Sequence, residues 1–444
     1  MANDSVYDFY LGILKDSIKD LCSKPEILAK RPGIDFTRNR SLPPDVLIEF
    51  FLSAKGSALK KITAEFLHNR GMESLSYQAF AHQRSKLAET AMPYLFDGFN
   101  RRTRQYDTDT YRKGYTLLAV DGTGLTIATN REGLSYLKVS DSNQFHITAL
   151  YDISNQVYID LDVRTASKQY EVQSSIQMIE RNKFKPKTII LGDRAYGSFN
   201  HLEHLNRKGL KYVIRYKDDK SIWEIDDLPN METDRTVICN IHTTQTKEDL
   251  IAEKQHKSHR LVGKSKFGKP KKNVTWDFEP HAQIKIRLVK FQLDDGKWEV
   301  LATNLTEEEF TLQELKEMYH ERWKIETSFL HLKYNIGLIN LHSRKEEYVV
   351  QEIYASFTAF NLCQRVTRAV ARTMEQKRDR KYQYYINISQ AFFLLKNAMQ
   401  HTVNRVEDIE KTILRYLIPI KPGRHDRRKE HKPNDIASCL YRVA

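Results

Sequence analysis

From Tyr115 to Tyr216 the chain sets down short apolar runs and amphipathic segments in one order: strand, strand, strand, helix, strand, helix, strand. The first run, YTLLAVDGT, ends in Asp121, Gly122 and Thr123. QFHITALYDISNQVYIDLDV reads as a hairpin, two alternating apolar segments around a turn at 153–156. EVQSSIQMIERNKF has the apolar spacing of an amphipathic helix, and KPKTIILGDRAYGS is a buried strand that runs out at Gly192, Asp193 and Arg194. A short helix, FNHLEHLNRKG, and a strand, KYVIRY, close the series.

This is the element order of the ribonuclease H-like fold, an α/β class. In such a sheet the first and fourth strands lie side by side, so acids just past their apolar runs meet. Asp121 and Asp193 hold those two places. Each sits in a pair, Asp-Gly or Gly-Asp, that is also common in plain turns. Asp152, Asp160 and Asp162 lie in or after the hairpin, where the topology gives them no partner at the sheet centre.

A third acid comes from further along. YHERWKIETSFLHLK spaces Tyr319, Arg322, Glu326 and Lys333 so that, at about 100° per residue, all four fall on one face of one helix. Met318, Ile325, Phe329 and Leu332 form a separate apolar stripe about a quarter turn away, which predicts a helix anchored in a core with its polar row accessible. Arg322 and Glu326 are also at the spacing of an ordinary surface ion pair.

Charge points to an acidic polymer. The 444 residues carry 71 Lys and Arg against 57 Asp and Glu, a formal net charge of +14. Most of the excess sits in two stretches. Lys254, Lys257, Arg260, Lys264, Lys266, Lys269, Lys271 and Lys272 form a run without an acid, and Arg424, Arg427 and Arg428 lie in a basic tail. Clustered cations of this kind suit a phosphate backbone. The four cysteines are far apart, and His256 and His259 have no nearby cysteine in sequence, so neither a disulfide frame nor zinc is expected. No apolar run approaches 18 residues and the start lacks a secretory pattern, which makes a cytoplasmic location the expectation.

The length exceeds one ordinary core, and the texture divides it. Residues 1–105 read as a helical, DNA-binding region, with Lys60, Lys61, Arg70 and Arg84 expected on its surface. Residues 106–215 and 306–345 form the catalytic core. Between them, 216–305 reads as an inserted β-rich subdomain with strand-like SIWEI, TVICNIH, AQIKIRLVKFQL and KWEVLATNL around the basic loop. Residues 346–444 are further helices and the basic tail.

Three carboxylates, Asp121, Asp193 and Glu326, make a hard oxygen set suited to two Mg²⁺ or Mn²⁺ ions. Such ions can activate an attacking hydroxyl and stabilise the oxygen leaving a phosphodiester. Arg322 and Lys333 would hold phosphates, and Tyr319 would bond a phosphate or stack on a base. Together these residues resemble the DDE transposases of bacterial insertion sequences, the group marked by Tyr-x2-Arg-x3-Glu-x6-Lys. Tyr319, Arg322, Glu326 and Lys333 match that spacing throughout, AVDGTGL and LGDRAYGS match around the two aspartates, and the likeness runs over roughly 35–435.

The resemblance implies a homodimer on the inverted-repeat ends of its own element. It implies Mg²⁺-dependent cleavage, strand transfer into target DNA, and often a hairpin intermediate with a flipped base. Arg194 and Trp323 join the expected DNA contacts, and the implied setting is a bacterial nucleoid-associated cytoplasmic protein. Two other readings use the same residues: a metal-dependent nuclease without strand transfer, and an inactive DNA-binding derivative.

Overall fold

The computed structural model describes residues 5–38, 42–54, 56–216, 222–261, 275–374, 382–400 and 408–421. Helices come first: α1 (Val6–Cys22), α2 (Pro25–Leu28), α3 (Pro44–Ser53), α4 (Leu59–His68), α5 (Tyr77–Arg84) and α6 (Ala91–Thr103). Ser5 caps α1 and Ser76 caps α5, each accepting a backbone N–H three residues on.

The sheet begins with β1 (Thr116–Ile127), the short β2 (Tyr136–Leu137), β3 (Ser142–Asp152) and β4 (Val157–Thr165). Helix α7 (Glu171–Arg181), β5 (Thr188–Gly192), α8 (Phe199–Arg207) and β6 (Lys211–Tyr216) follow. Strands β3 and β1 are antiparallel, as are β3 and β4, whereas β1, β5 and β6 run parallel. The first and fourth long runs of the alternating series, β1 and β5, are therefore neighbours.

After β6 come α9 (Trp223–Asp226), β7 (Thr233–His242), α10 (Lys247–Lys254), β8 (His259–Arg260), β9 (His281–Gln292) and β10 (Trp298–Thr303). The strands of 216–305 make no sheet of their own among the described residues. They extend the central one in the order β6-β10-β9-β7-β8, because β10 pairs antiparallel with β6 from Val213↔Thr303 to Tyr216↔Val300. SIWEI is not a strand: most of it forms α9, one helical turn whose Ile225 is buried.

Alternation along the strands gives the sheet two apolar faces. Leu117, Ala119, Ile189 and Leu191 join one core with residues of α1, α3, α6 and the helices after β10. Leu118, Val120, Ile190 and Ile214 join another with Met178 of α7 and Leu202 of α8. Each buried Leu, Ile, Val or Met among them contributes about 1.5–3 kcal/mol.

The chain then enters α11 (Leu312–His320), opened by a capping box in which Thr311 and Glu314 exchange side-chain and backbone hydrogen bonds. Next are α12 (Trp323–Leu330), a π-helical turn over His331–Ile336, and α13 (Glu346–Thr373). Strand β11 (Gln383–Ile386), α14 (Ile388–Gln400), α15 (Ile409–Arg415) and β12 (Leu417–Ile420) complete the described residues.

Helix α13 lies among α1, α3 and α6, so the N-terminal helices and the C-terminal region share one core. That packing corrects two surface expectations. Arg84 is 3% exposed, pairs with Glu352 at 2.8 Å, and lies 4.6 Å from the rings of Phe51 and Tyr348. Arg70 is nearly buried on Glu49, while Lys60 and Lys61 are exposed.

Candidate active site

Asp121 lies inside β1 rather than at its end. Its register partner on β3 is Ala149, but the parallel ladder to β5 stops at Val120↔Gly192, one residue earlier. Asp121 and Asp193 are thus the first residues past that ladder. Gly192 fits closely here, since a Cβ on it would fall 2.8 Å from Cδ1 of Ile214 and 3.1 Å from Cβ of Tyr196, and both would have to give way. Asp193 caps the 3₁₀ turn Arg194–Tyr196, its Oδ1 accepting the N–H of Ala195 at 2.8 Å.

Glu326 arrives on α12, which packs against β1. Arg322 ties the acids together: Nη1 donates to Asp121 Oδ2 at 3.1 Å and Nη2 to Glu326 Oε1 at 2.9 Å. Burial pushes the Asp121 carboxyl up to about 6; the Gly122 N–H and Arg322 oppose that, and the Asp193 and Glu326 carboxylates add to it. The donor atoms of the three acids do not all lie within 4.8 Å of one another. Arg322 is seated between two of them.

The four-residue row does not lie along one straight helix. Arg322 N bonds to Tyr319 O, Lys324 N to Glu321 O and Ile325 N to Arg322 O, an i→i+3 tightening that separates α11 from α12. A π turn then changes the phase again before Lys333. The buried stripe survives, with Met318, Ile325, Phe329 and Leu332 at most 5% exposed. The polar row is mostly drawn inward: Tyr319 and Arg322 are buried, and Lys333 is half-buried, its ammonium pKa lowered by desolvation. The Tyr319 hydroxyl has no hydrogen-bond partner among the described residues, and burial raises its pKa.

Trp323, in contrast, is 50% exposed, with the Arg322 guanidinium 5.0 Å from its ring. It lines a groove of about 690 Å³ together with Tyr319 and Arg322. The same groove brings in Arg112, Arg215 and Lys316, which the motif did not single out. Arg112 pairs with Glu317 at 2.7 Å and Arg215 with Glu299 at 3.1 Å.

Two further residues crowd the site. His146 on β3 and Glu171 at the start of α7 pair at 2.9 Å. A Cβ on Gly122 would fall 2.4 Å from Nε2 of His146 and from Oε1 of Glu171, so the residue after Asp121 has to be glycine unless they move. The sequence offered no signal for this pair beyond the Asp-Gly step itself.

Asp152, Asp160 and Asp162 have other work. Asp152 accepts from the backbone and side chain of Asn155, Asp160 pairs with Arg181 at 2.7 Å, and Asp162 with Arg164 at 2.5 Å. Of the other expected DNA contacts, Arg194, Lys254 and Lys257 are exposed, and Arg260 is partly buried within 3.7 Å of Glu253. Lys264, Lys266, Lys269, Lys271, Lys272, Arg424, Arg427 and Arg428 lie outside the described residues. One expectation is corrected: His259 does meet a cysteine, since the fold brings Cys239 and Glu224 to it.

Fold and site define an α/β protein that gathers strand-borne and helix-borne carboxylates beside a groove lined by both cations and acids. The chain belongs to the family described as the transposase DDE domain, which matches residues 112–362 and is of insertion-sequence type. It is 20% identical over 289 residues to the transposase for insertion sequence element IS231C of Bacillus thuringiensis subsp. berliner. That match spans 58% of this chain and 58% of the relative's length. A piggyBac transposase, solved by cryo-EM as a synaptic complex with hairpin DNA, superposes with a TM-score of 0.40 at 12% identity, over 94% of this chain and 85% of its own.

Family membership implies use of a divalent metal. The residues fit one: three carboxylates supply hard oxygens, and the guanidinium of Arg322 offsets the charge of two of them. No helix of the described residues is long and apolar enough to cross a membrane.

Proposed function

We propose that the chain is a cut-and-paste DNA transposase that cleaves the ends of its element and joins them to target DNA. The observation that carries this reading is the Arg322 bridge, which gathers Asp121 and Glu326 from 201 and four residues away, near Asp193. In this reading 106–215 and 306–345 are a ribonuclease H-like catalytic core, and 216–305 is an insertion that widens its sheet. Residues 1–105 and the basic stretches bind DNA, and the active form is a homodimer on the inverted repeats in the bacterial cytoplasm.

Asp121, Asp193 and Glu326 would hold two Mg²⁺ or Mn²⁺ ions. Bound there, the metals would lower the pKa of the attacking hydroxyl and stabilise the leaving oxygen of a phosphodiester. Arg322 offsets the acids' mutual repulsion and keeps Asp121 and Glu326 oriented. The unpartnered Tyr319 hydroxyl is a donor left over for a phosphate oxygen, and the exposed Trp323 ring offers a face to an unstacked base.

The test is cleavage of a labelled duplex carrying the element's own end, with Mg²⁺ and with EDTA, beside Glu326→Ala. Metal-dependent cutting lost in the variant supports the reading, and joining of the freed 3′ ends to a plasmid separates a transposase from a nuclease. Wild-type cutting by Glu326→Ala would remove that residue from the site.

A further inference from the structure

Far along the sheet from the carboxylates, three elements converge on a different set of donors. Glu224 comes from α9, Cys239 from β7 and His259 from β8, and one donor atom from each lies within 4.8 Å of the others. The His259 Nε2 is 2.9 and 2.8 Å from the two Glu224 oxygens. The Cys239 thiol is hydrogen-bonded to Glu224 and fully buried, on the β7 face that also buries Ile241. The Trp223 ring stacks on the His259 imidazole at 3.5 Å and 2°, and the Phe199 ring lies 4.9 Å away, so aromatic packing holds the histidine plane.

We propose that Glu224, Cys239 and His259 form a three-residue zinc site. A thiolate, an imidazole and a carboxylate are a soft-to-borderline set that suits Zn²⁺ and not the Mg²⁺ of phosphoryl transfer. Zinc distances of about 2.0–2.3 Å require donors roughly 3.3–3.7 Å apart, so the Glu224–His259 pair opens by about half an ångström to admit the ion. The Cys239 thiol gives up its proton to solvent as the ion binds, and His259 coordinates through a ring nitrogen that carries no proton. Water takes the fourth position.

The location gives the site a purpose. Strand β8 is two residues long and pairs with β7 at Ile241↔His259 and His242↔Arg260, with Asn240 donating to Lys257 O and His242 bonded to Ser258 alongside. It also lies within the basic run that starts at Lys254. A metal shared with α9 and β7 would add a tie that joins this short strand to both elements.

The experiment uses the full chain, stripped with EDTA, loaded with Zn²⁺ or Co²⁺ and desalted, with metal content read by mass spectrometry. Wild type and an Asp121→Ala/Asp193→Ala double variant are expected to retain one zinc each, with Co²⁺ giving a thiolate charge-transfer band. Cys239→Ser is expected to lose that band, and Glu224→Gln to bind zinc at least tenfold more weakly. Should Cys239→Ser not fold, the near-isosteric Glu224→Gln decides. No zinc in the wild type, undiminished zinc in Glu224→Gln, or zinc lost with the Asp121 and Asp193 carboxylates would each overturn the proposal.

Discussion

Arg322 donates to Asp121 at 3.1 Å from 201 residues further along the chain, and its second terminal nitrogen holds Glu326. The guanidinium is buried and bridges two of the acids proposed to hold metal. In the absence of a cation it is what offsets their charge.

Arg322→Gln is therefore expected to cost stability, by about 3 kcal/mol or less, since breaking a buried pair strands its partners but Glu326 is partly screened by solvent. The diagnostic is the melting temperature with and without Mn²⁺. The variant should gain more from the ion than the wild type does, because the ion then supplies the missing charge. Equal gains would mean that Arg322 does not offset the acids at the metal position.

Gly122 is held to glycine by its neighbours and not by its backbone. A Cβ would meet Glu171 and His146 at 2.4 Å, so Gly122→Ala is expected to destabilise by about 1–3 kcal/mol as the pair is pushed aside. Adding Glu171→Ala should recover part of that loss, seen as a coupling energy in urea midpoints. Strict additivity would show that the two positions do not touch.

Much of this was legible from periodicity alone. The strands β1, β3, β4, β5 and β6 and the helices α7 and α8 follow from alternation and 3.6-residue spacing, and so does the buried stripe from Met318 to Leu332. Asp121 and Asp193 lie one step past the β1–β5 ladder, as the strand order implied, although β1 itself runs on to Ile127. What the sequence hid was whatever depends on partners far away or on helix phase. The i→i+3 steps around Arg322 turned a row expected on the surface inward. Arg84 looked like a surface cation until α13 supplied Glu352, and β7 to β10 looked like a separate unit until β10 paired with β6. Cys239 and His259 are 20 residues apart, too far for spacing to betray them.

The Arg84–Glu352 pair also sets an acid limit. Burial works against ionisation of Glu352, but Arg84 and His342 outweigh it and hold the carboxyl at about 2. The folded value lies below the ordinary 4.5, so this stabilisation is complete above that pH and is lost as pH falls toward 2. Glu352→Gln should be less stable at neutral pH by about 3 kcal/mol. The gap between variant and wild type should narrow on acidification below pH 4.5, measured as urea midpoints. A gap independent of pH would assign the loss to packing rather than charge.

Trp323 separates a DNA-contacting role from a structural one. Half its surface is exposed, and its visible neighbour is the Arg322 guanidinium at 5.0 Å, so little core packing depends on the ring. Trp323→Ala should therefore keep its thermal stability within about 0.5 kcal/mol. If the ring receives an unstacked base, the variant should lose about 1–3 kcal/mol of interaction, or roughly 5- to 150-fold in cleavage or end affinity, and Trp323→Phe should restore most of it. Circular-dichroism melts and cleavage of an end duplex, run on the same three proteins, measure both quantities. Unchanged cleavage in Trp323→Ala would leave the ring as exposed surface and move the search for a stacking partner to Tyr111, on the same groove.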